Sequence, residues 1–146
     1  MTKQYPVLVY GTLRPTGGNY ENCLLGATSA EFTVRLDGFT MYDNGMFPYL
    51  DRGDSTITGT LIFIDEDRYD EKMAVLDRLE GYSEERTRNH YDRILHTFNV
   101  GDLTVQAWMY LASPSTMARA HQGGIDVVES GDWLAYEAQY PLVYTN

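Results

Sequence analysis

A short apolar segment near the start of the chain, residues 5–10 (YPVLVY), runs directly into Gly11, Thr12 and Leu13. Its composition predicts a buried strand. Because glycine has no Cβ, a strand that ends in glycine lets the backbone turn sharply and come close to a ligand. The amides after such a turn point outward, where they can hold an anion or a developing negative charge. Taken alone, most segments of this kind are simple turns.

The rest of the chain has mainly the patterns of strands and turns. Period-two alternation and β-branched residues predict strands at residues 32–36, 39–42, 56–64, 91–98 and 103–111. Asp37-Gly38 and residues 43–45 (DNG) are turn signals, and residues 99–102 predict a hairpin turn. Short helices are expected at residues 21–25 and 132–136, and residues 112–130 are expected to be mostly loop. Together these elements predict an α+β fold, with a small mixed β-barrel or curled sheet flanked by helices.

One segment changes to a helical period. Apolar residues recur there at the spacing of one helix face: Tyr69, Met73, Leu76 and Leu79. Asp65 or Asp67 is expected to cap the start of this helix, and Gly81 is expected to end it in the left-handed conformation.

Composition limits the classes of function. A chain of 146 residues suits one domain, residues 1–146, and its formal net charge of −10 argues against a nucleic-acid partner. Cys23 is the only cysteine, which predicts a reducing, cytoplasmic location, and no segment reaches the ~20 apolar residues of a membrane span. The three histidines show no metal-binding spacing, so no metal site is predicted.

Glu80 has an unusual position at the end of the predicted helix. The helix macrodipole disfavours a carboxylate there by roughly 0.3–1 kcal/mol. Burial against Leu76 and Leu79 would also penalise the charged form, so both effects would raise the carboxyl pKa. An acid with a raised pKa can take up and return a proton near neutral pH. The alternative is a solvated glutamate paired with Arg78 or Arg86.

Six segments in order make the chain resemble the γ-glutamylcyclotransferase-like (AIG2-like) family, and most of all its γ-glutamylamine cyclotransferases. They are residues 7–13 (VLVYGTL), 41–48 (MYDNGMFP), 76–82 (LDRLEGY), 91–93 (YDR), 108–110 (WMY) and 130–133 (SGDW). The resemblance implies a small mixed β-barrel flanked by helices, with the active site where the first strand ends. The chain departs from the family's pattern in two places: the segment 81–90 is longer and more charged than in the family, and residues 112–130 show no family pattern.

The resemblance also implies roles for particular residues. The family's catalytic carboxylate corresponds to Glu80, its substrate-binding loop to residues 10–13 (Tyr10, Gly11, Thr12 and Leu13) and its pocket aromatic to Tyr91. The implied substrate is a small γ-glutamyl molecule, and the implied reaction releases 5-oxoproline and an amine without a cofactor. Arg14 could contact a substrate carboxylate, or it could be a solvated loop arginine.

Three functions therefore stay open at the level of sequence. The first is a cyclotransferase. The second is a binding module that keeps the pocket without turnover. The third is an enzyme that uses the same chemistry on a larger γ-glutamyl conjugate, which an open rim at residues 14–20 and 81–90 would favour. The acid retained at Glu80 favours an enzyme over a binding module.

Overall fold

Six strands form one mixed sheet in the computed structural model, which describes residues 3–85 and 89–139. The strands are β1 (Val7–Val9), β2 (Thr28–Asp43), β3 (Pro48–Ile64), β4 (Tyr91–Val100), β5 (Leu103–Ala112) and β6 (Asp126–Val127). Their order in the sheet is β4-β5-β1-β3-β2-β6. β1 runs antiparallel to β3 and parallel to β5, which makes the sheet mixed.

The sheet forms a half-barrel flanked, within the described residues, by four α-helices. They are α1 (Tyr20–Cys23), α2 (Tyr69–Leu79), α3 (Pro114–Gly123) and α4 (Trp133–Gln139). This architecture confirms the α+β class and the mixed barrel-like sheet expected from the sequence. None of the helices in the described ranges is long and apolar enough to cross a membrane.

β1 is buried on both faces because hydrophobic clusters lie on either side of it. Val7 and Val9 belong to the cluster that contains the apolar face of α2, while Leu8 belongs to the cluster that contains Trp133 of α4. Alternate side chains of a strand point to opposite faces, so both faces of this short apolar strand are covered. Its carboxyl end therefore lies within the core of the fold.

The two strands predicted at residues 32–36 and 39–42 are one continuous strand. Asp37 pairs with Thr56 and Phe39 with Arg52, so pairing with β3 resumes after an irregularity. Gly38, at φ +92°, bends the strand at that point instead of ending it. The Asp37-Gly38 turn was therefore a wrong prediction, and β3 begins eight residues earlier than expected.

The expected loop at residues 112–130 is also wrong, because α3 occupies much of it. Ser113 caps this helix by accepting a hydrogen bond from the backbone N–H of Thr116 at 3.2 Å. Pro114 stands at the first helical position, and Gly124 ends the helix at φ +76°. These are strong start and stop signals that outweigh the small, polar composition of the segment.

The end of α2 agrees with the prediction from the sequence, but its start does not. The helix covers the predicted residues and ends, as predicted, at Gly81, whose φ is +66°. Its start is preceded by a 3-10 turn, Glu66–Arg68. Asp65 stands before that turn, and Arg68 precedes α2; among the described residues neither position has a side-chain capping hydrogen bond. The predicted cap by Asp65 or Asp67 is therefore wrong.

Candidate active site

A cavity of about 420 Å³ opens where β1 ends. Its walls come from six parts of the chain: β1 with the loop after it, the turn between β2 and β3, the end of α2, the start of β4, β5 and α4. The structure brings all six residues singled out from the sequence to this cavity: Tyr10, Gly11, Thr12, Leu13, Glu80 and Tyr91. The end of β1 and the end of α2, about 70 residues apart in the sequence, therefore line the same cavity.

The loop after β1 presents unpaired amides. The N–H of Arg14 donates to the carbonyl of Gly11 at 3.1 Å, and the N–H of Asn19 donates to the carbonyl of Thr12 at 2.9 Å. Among the described residues, the N–H groups of Gly11, Thr12 and Leu13 have no acceptor. Three consecutive donors on residues that line the cavity can therefore bind an anion.

Gly11 is required by packing against the protein itself. A Cβ built on Gly11 would lie 2.7 Å from Cγ and 2.8 Å from Cδ of Pro48. Contacts below 3.0 Å force a shift, and the proline ring has little freedom to move. The close approach to Gly11 that the sequence predicted for a ligand is therefore made by Pro48, the first residue of β3.

Arg14 fits neither of its two predicted roles. Its side chain is buried, with Nη1 2.9 Å from a carboxylate oxygen of Asp132 and Nε donating to Oγ1 of Thr60 at 3.1 Å. The guanidinium is therefore neither solvated nor a lining group of the cavity. It ties the loop after β1 to the residue that precedes α4.

The backbone around Glu80 is fixed by a Schellman motif. The N–H of Glu80 still donates to the carbonyl of Leu76, at 2.9 Å. The N–H of Gly81 then donates to Arg78 at 3.2 Å, and that of Tyr82 donates to Asp77 at 2.8 Å. This pattern satisfies the last carbonyls of α2 and needs the left-handed conformation of Gly81. Glu80 is thereby held at one position on the wall.

The Glu80 carboxyl is an isolated, partly buried acid. Within the described residues its side chain makes no hydrogen bond or ion pair, including none with Arg78; Arg86, the other partner considered, lies outside them. Burial raises the pKa of Glu80 to about 7. Near neutral pH the carboxyl is therefore present in both protonation states, as an acid–base catalyst requires.

Tyrosines surround this carboxyl. Burial first, and then the Glu80 charge, raises the pKa of Tyr10. Burial also raises the pKa of Tyr91, with smaller contributions from Tyr10 and Glu80. The hydroxyl of Tyr91 donates to the carbonyl of Pro48 at 3.0 Å, and the hydroxyl of Tyr10 donates to the carbonyl of Tyr110. Both hydroxyl protons are thus used within the protein, so these rings shape the wall while their oxygens can still accept a hydrogen bond.

An ionic cluster that the sequence analysis missed anchors the helix end. Arg93 binds both carboxylate oxygens of Asp77, at 2.9 and 3.1 Å, and the hydroxyl of Tyr110 donates to Asp77 at 2.7 Å. The guanidinium of Arg93 also lies 4.6 Å from the ring centre of Trp108. Because Asp77 is three residues before Glu80, this cluster fixes the last turn of α2 on the β4–β5 hairpin. The motifs 76–82, 91–93 and 108–110 meet here.

His90 is another lining residue that the sequence analysis did not assign to the site. Its Nε2 lies 3.2 Å from the hydroxyl of Tyr49, and its ring meets Tyr91 edge to face at 4.9 Å between centres. Burial lowers the pKa of His90, so the ring is neutral near pH 7. Across the described ranges no three His, Cys, Asp or Glu side chains come together as a candidate metal site.

Comparison with known proteins gives a consistent family. The family model described as "Gamma-glutamyl cyclotransferase, AIG2-like" matches residues 7–135. The gamma-glutamylcyclotransferase family protein YtfP of Escherichia coli is 30% identical over 129 residues, covering 88% of this chain and 95% of that protein. A relative from Halalkalibacterium halodurans, whose name provisionally assigns it as a gamma-glutamylcyclotransferase, is 33% identical over 98 residues, covering 64% of this chain and 77% of its own length.

Solved structures agree with the fold. The solution structure of YtfP from Escherichia coli superposes with a TM-score of 0.55 at 28% identity, covering 90% of this chain and 98% of that chain. The crystal structure of YkqA from Bacillus subtilis gives a TM-score of 0.64 at 19% identity, covering 94% of this chain and 42% of the larger one. The second likeness concerns the fold alone.

Proposed function

Because the chain belongs to the gamma-glutamyl cyclotransferase, AIG2-like family, we propose that it releases 5-oxoproline and a free amine from a γ-glutamyl amine or γ-glutamyl conjugate. One observation carries the proposal. An isolated carboxyl with a pKa of about 7 and three unpaired backbone amides line the same cavity. An acid–base group and an anion-binding loop are the two devices that this reaction needs.

The reaction is an internal displacement. The α-nitrogen of the γ-glutamyl group forms a bond to its own γ-carbonyl carbon, and the bond from that carbon to the leaving nitrogen breaks. Both reacting atoms are in one molecule, so a cavity that folds the chain into attacking geometry can supply ~7–11 kcal/mol of the barrier reduction. No water is consumed, and a partly closed cavity favours this outcome over hydrolysis.

Glu80 moves the proton in this proposal. The ionised carboxylate takes a proton from the α-ammonium group, which frees the nitrogen to attack. The protonated carboxyl then gives that proton to the leaving nitrogen, and the carboxylate is restored. As the lactam forms, the ring nitrogen loses its second proton to this carboxylate, which passes it to the departing amine, so the amine leaves as its ammonium ion. A pKa of about 7 supports both steps, since each form is then accessible at neutral pH.

The amides of Gly11, Thr12 and Leu13 bind negative charge. Two groups of the reacting molecule are candidates for this loop: the oxyanion of the tetrahedral intermediate and the α-carboxylate of the substrate. Loss of one oxyanion donor typically lowers the rate by ~10²–10³-fold. The closing of the loop by Asn19 supports either assignment, because it holds Thr12 in place on both its backbone and its side chain.

The proposal also covers the extent of the domain and the compartment in which the protein acts. We assign residues 1–146 to one domain, in the cytoplasm, acting on a small molecule. The continuous sheet and the family match over residues 7–135 support the single domain. The single cysteine, Cys23, supports a reducing compartment.

The test is product analysis. The protein is incubated with a panel of γ-glutamyl amines and γ-glutamyl dipeptides, and 5-oxoproline, glutamate and free amine are quantified by mass spectrometry. We expect 5-oxoproline and amine in a one-to-one ratio, with Glu71→Gln on the outer face of α2 as an active control variant. Release of glutamate would mean hydrolysis, and binding without any product would favour the binding module; either result contradicts the proposal.

A further inference from the structure

The cavity is larger than the reacting half of the substrate. A γ-glutamyl group has nine non-hydrogen atoms, which fill roughly 170 Å³ at the density of protein interiors. The cavity volume is about 420 Å³. If the reacting end lies between Glu80 and the amides of the β1 loop, more than half of the space belongs to the leaving group. What lines this remaining space should therefore select the amine.

Exposed apolar side chains stand at this cavity from two separate elements. Met46, in the β2–β3 turn, is 62% exposed, and Leu79, at the end of α2, is 44% exposed. Both line the cavity, as does Phe47 beside Met46. Large apolar side chains left in water around a cavity mark a surface that a ligand covers. Leu79 directly precedes Glu80, so this apolar surface begins next to the proposed acid–base group.

The charges of the cavity are negative. Of the lining residues that the structure describes, the charged ones are Glu80 and Glu137, and both are acidic. Burial first, and then the charge of Arg119, lower the pKa of His90, so its ring is neutral near pH 7. Arg119 itself is not among the residues that line the cavity. A carboxylate on the leaving group would therefore find no counterion on the described walls and would be repelled by Glu137. An amino acid is thus a poorer leaving group here than the corresponding amine.

We propose that this site takes γ-glutamyl conjugates whose leaving group is an apolar amine without a carboxylate, and that Met46 and Leu79 bind its hydrocarbon chain. The inference rests on the proposed function and adds its substrate class. The remaining volume admits an alkyl or aryl chain of up to roughly thirteen non-hydrogen atoms. The chain is covered by the apolar wall, while the nitrogen accepts its proton from Glu80 as the bond to the γ-carbon breaks.

A matched set of three substrates tests the inference. The γ-glutamyl derivative of isopentylamine differs from γ-glutamyl-leucine only by the leaving group's carboxylate, and the methylamide lacks the apolar chain. We expect kcat/KM for the isopentylamide to exceed that for each of the other two by ~10–100-fold. A kcat/KM for γ-glutamyl-leucine equal to or above that for the isopentylamide would overturn the inference.

Variants assign the preference to residues. Met46→Gln and Leu79→Gln should each reduce the ratio of isopentylamide to methylamide turnover several-fold, and Glu137→Gln should raise turnover of γ-glutamyl-leucine. Leu103→Gln is the matched control, because Leu103 is 69% exposed in the β4–β5 hairpin and does not line the cavity. An unaltered ratio in both Met46→Gln and Leu79→Gln would overturn the inference. Methylamide turnover without any chain preference would overturn this inference alone, whereas no 5-oxoproline from all three substrates would overturn the proposed function with it.

Discussion

Replacing Glu80 by glutamine should make the protein more stable at alkaline pH, because it removes a buried charge. The pKa of Glu80 is about 7 in the folded protein, against 4.5 for the same group in the unfolded chain. The folded state therefore binds the proton more tightly, and rising pH removes stability between about 4.5 and 7. Over this rise in pH the loss of stability amounts to roughly 3 kcal/mol, and it is complete by about pH 8.

The contribution of Glu80 to the free energy of unfolding can be isolated by comparing two pH values. From the same two pKa values, Glu80 costs about 1 kcal/mol at pH 5.5 and about 3 kcal/mol at pH 8. The gain in stability from Glu80→Gln should therefore be larger at pH 8 than at pH 5.5 by about 2 kcal/mol. This difference cancels the effect of the glutamine itself, and also the titration of the other acids, which both proteins share. Measuring at pH 5.5 also avoids stronger acid, where a chain of net charge −10 approaches neutrality.

Urea unfolding followed by circular dichroism gives the free energies of unfolding at both pH values. Glu71→Gln is the matched control. The exposed carboxylate of Glu71 on α2 pairs with Arg68 of the preceding 3-10 turn, which lowers the carboxyl pKa, so Glu71 stays ionised at both pH values. We expect no pH-dependent gain from this control. An equal stability change for Glu80→Gln at pH 5.5 and pH 8 would refute the buried-acid account, as would a loss of stability that grows with pH.

Three further changes test other parts of the structure. As the pH is raised, kcat/KM should increase with a midpoint near pH 7, where Glu80 becomes ionised. A midpoint near pH 4.5 would contradict the raised pKa of Glu80. Gly11→Ala should lose about 1–3 kcal/mol in denaturant unfolding and most activity, because its Cβ meets Pro48; wild-type stability would contradict this. Asp77→Asn should lower kcat about tenfold or more with a smaller change in KM, because the end of α2 loosens from Arg93; an unchanged kcat would exclude that positioning role.

The sequence predicted the local elements well where one signal was strong. The β4–β5 hairpin has alternating strands and a two-residue turn at Gly101, and α2 has an uninterrupted helical period with a glycine stop. Prediction failed at α3 because its cap signals at Ser113 and Gly124 flank a segment of weak periodicity. It failed at Asp37-Gly38 because a turn and a bulge have the same local composition, and only the pairing with β3 distinguishes them.

The sequence predicted the two segments that form the candidate site, but it did not predict the ion pairs that hold these segments in place. The loop after β1 and Glu80 carry local signals: a strand that ends in glycine, and an acid at the wrong end of a helix. The ion pair of Asp77 with Arg93 and the burial of Arg14 against Asp132 depend on contacts 16 and 118 residues apart. Such contacts follow from the curl of the sheet, which short-range patterns do not determine.

The most direct test of the account is the formation of 5-oxoproline by Glu80→Gln, measured beside the wild-type protein on one γ-glutamyl amine that the wild-type turns over. Calorimetric titration with the same substrate shows that the variant still binds. The account predicts a folded variant that binds the substrate and forms no 5-oxoproline above the uncatalysed background. Turnover by the variant within a few-fold of the wild-type rate would contradict it, because the proton would then pass through another group.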